Sequence, residues 1–298
     1  MTRLTAQDFQ PEVLQLFDRY VHGDLSRRGF VEQVTRYAGS SAAAVGLLAA
    51  LSPQFASATV VPANDPRIVT RQQAFDSPLG NGKVSGLLAK PANANGATGK
   101  LPVVLVVHEN RGLNPHIEDI ARRLAVDGYL AYAPDALALS GGYPGDEDKA
   151  REAFGKLDQT KARADFVAAT RALLTLPEGN GKVGVVGFCY GGGMANYLAT
   201  QVPELAAAVP FYGGQPPAAD VARIKSPLLI HYAAKDERIN AGWPAYEAAL
   251  KAAGVRHEGH IYAGTEHGFN NDTTPRFDAA AAQLAWSRTL AFFKANLA

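Results

Sequence analysis

Val183-Gly184-Val185-Val186-Gly187-Phe188-Cys189-Tyr190-Gly191-Gly192 is the stretch on which the reading of this chain turns. An apolar run leads into a glycine-flanked residue, and Met194-Ala195-Asn196-Tyr197-Leu198 follows as helix. The pattern predicts strand, sharp turn and helix, with Cys189, the only cysteine in 298 residues, at the apex. The glycines let the chain reverse within two residues, where side chains would strike the adjoining strand and helix. The turn lifts the sulfur above the sheet edge. The N-terminus of the new helix points at it and favours thiolate over thiol.

A nucleophile needs a base, and the base needs an orienting group. In hydrolases built on such an elbow the chain order is nucleophile, acid, histidine. Pro227-Leu228-Leu229-Ile230-His231-Tyr232 reads as a buried strand running out into Ala233-Ala234-Lys235-Asp236, which puts Asp236 just past its C-terminal edge. His260-Ile261-Tyr262 reads as a short strand leading to Gly264-Thr265-Glu266-His267-Gly268-Phe269, with His267 in the loop. Open α/β sheets carry their chemistry at such strand ends. Cys189, Asp236 and His267 are therefore the expected triad. His257 and His260 complete no metal-ligand pattern, and His231, mid-strand, reads as a core residue.

With these residues in view the chain resembles the dienelactone hydrolase family of α/β-hydrolases over residues 67–298. Besides the elbow and the Asp236 and His267-Gly268-Phe269 loops, the family's early segment is matched by Val107-His108-Glu109-Asn110-Arg111-Gly112-Leu113 and by Gly128-Tyr129-Leu130-Ala131-Tyr132-Ala133-Pro134-Asp135. The resemblance implies an α/β-hydrolase fold, a Cys189–His267–Asp236 triad, and cleavage of an ester or lactone through an acyl-cysteine. It also implies that Glu109 lies beside the thiol and controls its protonation, and that the backbone amides of Asn110 and Tyr190 form an oxyanion hole. No cofactor or metal is implied. A carboxylate near a thiolate is repulsive, so Glu109 would act by competing for the histidine or by taking the thiol proton when substrate arrives.

One departure bears on substrate. Where the family carries an arginine four positions after the triad histidine, this chain has Asn271, which cannot replace a bidentate guanidinium. Acidic substrates should then bind less tightly, unless Arg111 or Arg151 faces the pocket. Residues 138–148, with Tyr143 in Gly141-Gly142-Tyr143-Pro144-Gly145, read as a pocket wall or lid, or as a plain surface connection. A broad-specificity carboxylesterase and a non-catalytic binding protein of the same fold are the alternatives.

Composition fits a globular enzyme: 47% hydrophobic, 19% charged, formal net charge +1. So balanced a chain has no electrostatic footprint for nucleic acid. No stretch reads as a clear membrane span, a small-molecule ester or lactone is the expected partner, and the oligomeric state is left open. From residue 67 onward strands (84–90, 101–108, 129–134, 182–188, 206–211) alternate with helices (117–127, 147–176, 241–253, 275–297). That pattern predicts a mostly parallel sheet flanked by helices on both faces. Residues 1–66 form an N-terminal extension with two readings. Ser26-Arg27-Arg28-Gly29-Phe30, an apolar run over 42–51, and Ala56-Ser57-Ala58 together resemble a twin-arginine (Tat-type) export signal, cut near Thr59. Helical spacing in Pro11-Glu12-Val13-Leu14-Gln15-Leu16-Phe17 instead suggests helices packed on the body. The first reading makes the protein periplasmic or exported, the second cytoplasmic.

Overall fold

The computed structural model describes residues 3–95 and 100–298. Eight strands form one sheet in the order β1-β2-β4-β3-β5-β6-β7-β8. They are β1 (Ile68–Ser77), β2 (Gly82–Pro91), β3 (Leu101–Val107), β4 (Leu130–Pro134), β5 (Gly179–Phe188), β6 (Ala207–Phe211), β7 (Leu228–Lys235) and β8 (His257–Glu266). β1 and β2, and β2 and β4, pair antiparallel; every other pairing is parallel. Val103 to Val107 are all fully buried, which is why β3 reads as an unbroken apolar run rather than an alternating one.

The N-terminal segment forms α1 (Pro11–His22), α2 (Arg27–Ala38), α3 (Ser41–Leu51) and α4 (Phe55–Ala58). The helices of the body are α5 (Pro115–Val126), α6 (Glu147–Gly155), α7 (Gln159–Leu174), α8 (Tyr190–Gln201), α9 (Glu237–Asn240), α10 (Trp243–Ala252) and α11 (Ala279–Leu297). Side chains alternate across the sheet into two cores. Val103, Leu105 and Val107 pack with Phe166 and Leu173 of α7 and with Met194 and Leu198 of α8. Val104 and Val106 pack on the other face with Ile117, Ile120 and Leu124 of α5 and with Phe293 of α11.

Three expectations change in detail. The long helical stretch 147–176 breaks in two, because Asp158 caps α7 by accepting from the amides of Thr160 and Lys161. The last helix starts at Ala279 rather than at 275, where Asp278 caps it. β1 was not anticipated: Val-Thr-Arg-Gln-Gln-Ala-Phe has little apolar period, and it is a half-exposed edge strand paired only with β2. Of the turn-rich stretch 91–100, residues 96–99 lie outside the described residues.

Helices α1–α3 enclose an apolar cluster of their own, in which Phe17, Tyr20, Phe30, Val34, Leu48 and Leu51 are buried. Ser26 caps α2 through the Gly29 amide, so Arg27 and Arg28 open that helix. The segment is docked on the body by polar contacts. Arg27 pairs with Asp148 at 2.7 Å, and Arg276 with Asp18 at 3.2 Å. The amides of Val60 and Val61 donate to the Asp119 carboxylate, and Arg122 donates to the Val61 carbonyl. The stretch Ser41–Ala58 has a mean hydropathy of 1.3, enough by length and composition to cross a membrane, with 17% of it buried.

Candidate active site

The strained turn expected at the end of β5 is present. Cys189 has φ 54° and ψ −110°, a backbone conformation few L-residues adopt, and its amide is held by the Phe211 carbonyl at 3.1 Å. The flanking glycines are required by close approach. A Cβ on Gly187 would lie 1.9 Å from the Gly191 carbonyl, and one on Gly191 would lie 2.2 Å from the Val107 carbonyl. The half-buried sulfur therefore stands at the N-terminus of α8, over the C-terminal edge of β5.

Asp236 follows β7 directly and His267 follows β8; both are 4% exposed. His267 Nδ1 donates to Asp236 Oδ2 at 2.6 Å, which leaves Nε2 buried, turned toward the sulfur and without a hydrogen-bond partner. Burial and a neighbouring anion act oppositely on this imidazole. Desolvation pushes its pKa down, but the Cys189 sulfur and Asp236 outweigh it and raise it to about 10. Burial likewise pushes the Cys189 thiol up, and the charges of His267 and His22 more than offset that, lowering it to about 6.

His22 was not found from the sequence. It is the last residue of α1, and its Nε2 lies 3.4 Å from the Cys189 sulfur. Its ring meets that of His267 edge to face at 4.7 Å between centroids. Nδ1 donates to the Asp18 carbonyl at 2.8 Å and lies 3.3 Å from the Asp18 carboxylate. The only signal in the sequence was an acid and a histidine four apart on an amphipathic helix ending at Gly23, a common surface pattern.

The remaining expected residues divide. Asn110 lies in the loop after β3, and neither its amide nor that of Tyr190 has a partner among the described residues. Glu109 is engaged, but not by sulfur: its Oε2 accepts from Asn271 Nδ2 at 2.9 Å. Asn271 is 4% exposed, and its Oδ1 accepts from both the amide and hydroxyl of Thr273, so it braces Glu109 instead of reaching a ligand. Arg111 and Arg151 turn away from the sulfur to the C-terminus of α1, where helix carbonyls lack partners. Arg111 reaches the Val21 carbonyl at 3.3 Å and Arg151 the Tyr20 carbonyl at 2.9 Å. Tyr143 donates to Glu147 and lines a separate cavity with Leu113, Asp135 and Gly142. Arg111 and Arg151 thus hold the end of α1, and Tyr143 opens on a cavity other than the one beside the sulfur. His231 is a satisfied core residue, bonded to Thr289 and Tyr262.

A cavity of about 450 Å³ opens beside the sulfur, lined among others by His22, Asn110, Tyr190, Tyr197, Tyr212 and Gln215. Arg163 and Arg238, both exposed, stand on its wall, and neither is paired with a carboxylate among the described residues. Tyr212 is also strained, with φ 37°, and its ring lies 4.9 Å from that of His267. The sulfur and the two imidazoles, with ligand atoms within 4.8 Å of one another, form a donor set a borderline-soft divalent cation would accept. The Arg238 guanidinium, 3.0 Å from His22 Nε2, opposes a cation at that position.

Comparison with known proteins agrees with this architecture. Residues 84–297 match the model of the dienelactone hydrolase family. The chain belongs to that family. It is 31% identical to a Synechocystis protein named "Putative carboxymethylenebutenolidase" over 238 residues, 74% of this chain and 95% of the relative. It is 52% identical over 117 residues to "Putative hydrolase fragment YghX" of Escherichia coli, covering 39% of this chain and 97% of that protein. Among solved structures, the "Putative Dienelactone Hydrolase" of Klebsiella pneumoniae superposes with a TM-score of 0.65 at 28% identity. It covers 76% of this chain and 99% of its own. A dienelactone hydrolase-like promiscuous phosphotriesterase from metagenomic libraries gives 0.65 at 26% identity, covering 78% of this chain and 100% of its own. The protein is a hydrolase of the α/β-hydrolase fold. Residues 1–38 match a different model, described as YqhI-like.

Proposed function

We propose that this dienelactone hydrolase family member cleaves an ester or lactone through an acyl-cysteine intermediate. Cys189 is the nucleophile, His267 the base and acid, and Asp236 its orienting partner. The observation that carries the reading is the convergence at one sheet edge of a strained cysteine, a depressed thiol and a buried His267–Asp236 pair at 2.6 Å. Thiolate attack on the carbonyl carbon forms a C–S bond, and the carbonyl oxygen takes the negative charge. The unpartnered amides of Asn110 and Tyr190 are the donors for that oxyanion. On collapse, the His267 imidazolium gives its proton to the leaving alkoxide. Neutral His267 then takes a proton from water, which attacks the thioester. Glu109 is held in place by the hydrogen bond from Asn271.

The substrate is a small ester or lactone that fits the 450 Å³ cavity. The family-type arginine is replaced by Asn271, so any preference for an acidic substrate must come from Arg163 and Arg238 on the wall. A panel of dienelactones and simple aryl esters, with and without a carboxylate, assayed on wild type and Cys189→Ala, tests the reading. Turnover confined to the wild type is expected; equal turnover in both contradicts it.

We read the N-terminal segment as retained and the protein as cytoplasmic. Support comes from its own apolar cluster and from Arg27, which is bound to Asp148. Cleavage near Thr59 would remove α1–α4. Intact mass of the protein from its native host should be that of the full chain; a species beginning near Thr59 would restore the export reading.

A further inference from the structure

We propose that His22, carried by the N-terminal helix α1, is a second catalytic histidine. In the free enzyme its imidazole, held by Asp18, takes the proton of the Cys189 thiol. The proposal rests on Cys189 being the nucleophile and goes beyond it by naming which group holds the thiol proton before substrate arrives.

Geometry selects His22 over the two residues assigned by sequence. His22 Nε2 lies 3.4 Å from the sulfur in hydrogen-bond geometry, whereas the buried Nε2 of His267 meets no partner in that geometry among the described residues and acts on the thiol chiefly through its charge. Glu109, which the family resemblance placed beside the thiol, is tied to Asn271 and, among the described residues, makes no hydrogen bond to sulfur. The transfer is a plain proton exchange: the S–H bond breaks, the Nε2–H bond forms, and the sulfur keeps the electron pair. No other reactant is needed.

The surroundings favour the resulting imidazolium. On its own helix, Asp18 lies 3.3 Å from Nδ1, and Asp18 is in turn fixed by Arg276 from the loop before α11. His22 also closes the C-terminal turn of α1, where the helix dipole favours a cation. From the elbow, the thiolate faces Nε2. Two groups oppose it: His267, edge-on at 4.7 Å, and Arg238 of α9, whose Nη2 lies 3.0 Å from Nε2. Arg238 bonds Nε2 while His22 is neutral. It is exposed, so it can release that bond into water when Nε2 gains a proton. Although burial pushes the His22 pKa down, the thiolate and Asp18 raise it to about 9.

Two histidines at one thiol divide the labour. His22 keeps the sulfur ionised at rest, and His267, oriented by Asp236, is left to serve the leaving group and the attacking water. The helix that carries His22 is anchored by the same loop that presents the oxyanion amide, since Asn110 Nδ2 donates to the Val21 carbonyl at 2.9 Å.

The experiment is the pH dependence of Cys189 alkylation by iodoacetamide in the full-length protein, for wild type, His22→Gln, Asp18→Asn and His22→Gly. Circular dichroism is used to establish that each is folded. The wild-type half-point should lie near pH 6. In His22→Gln it should rise by about one unit or more, with His267 still lowering the thiol, and in Asp18→Asn by less in the same direction. Added imidazole should restore the low half-point in His22→Gly, which a purely structural histidine would not permit. A folded His22→Gln with the wild-type half-point, or a His22→Gly shift that imidazole leaves untouched, overturns the proposal. That outcome is separable from failure of the nucleophile itself, which would appear as turnover surviving in Cys189→Ala.

Discussion

The elbow and the N-terminal helices both place a reactive side chain at the same sulfur, yet by opposite means. Around Cys189 the instructions are local. Gly187 and Gly191 permit backbone contacts that a Cβ would forbid, and strand, turn and helix follow within a dozen residues. His22 arrives from 167 residues away, and its position depends on arginines at the end of α1 and on an acid paired across the interface. Local constraint leaves a motif in the sequence; tertiary docking leaves scattered polar residues that look like ordinary surface.

The sharpest way to break the comparison is to remove its shared atom. Cys189→Ala should abolish hydrolysis, because the chain has no other thiol and the covalent path is lost. A variant with measurable wild-type-like kcat would detach both histidines from the chemistry. Next in size are the residues of the body. His267→Ala should lower kcat by roughly 10⁴-fold or more, and Asp236→Asn by one to two orders less, since it removes orientation and charge stabilisation rather than the base. Steady-state kinetics on an aryl ester read both, and near-normal rates would return the search for a base to other histidines.

The pH profile sharpens the contrast further. A thiol lowered to about 6 is ionised above that midpoint, so thiolate is lost as pH falls through it. An imidazole raised to about 10 is charged below that value, so imidazolium is lost as pH rises through it. Thiolate and imidazolium therefore coexist between about pH 6 and 10, and kcat/KM should fall on both sides of that window. A single basic-side rise centred near an ordinary thiol, about 8.5, would mean that neither histidine perturbs the sulfur.

Much of the body was legible because its strands are buried on both faces and its turns are punctuated by glycine. The Cys189, Asp236 and His267 positions could be read from strand ends alone. What escaped was of one kind. β1 is polar and half-exposed, so it lacks the apolar period of a central strand. Arg111 and Arg151 read as candidate anion partners or plain surface arginines, because nothing local reveals that they meet the carbonyls of a helix far away in sequence. Asn271 reads in sequence only as the absence of an arginine, and its bond to Glu109 is a tertiary fact.

The smallest expected effect concerns the cavity wall. Arg238→Ala should reduce the preference for a carboxylated over a neutral ester by about tenfold at most, because an exposed guanidinium in solvent contributes little more than a kcal/mol. An unchanged ratio of kcat/KM for the two esters would remove Arg238 from substrate selection.

The central claim, that one thiol is the covalent centre served by both regions, is tested most directly by rapid acid quench of a slowly deacylating aryl ester followed by peptide mass analysis. The account predicts a transient acyl mass on the peptide carrying Cys189, appearing with the burst of phenol and decaying at kcat. Product formation at the same rate with no acyl mass on that peptide would contradict it.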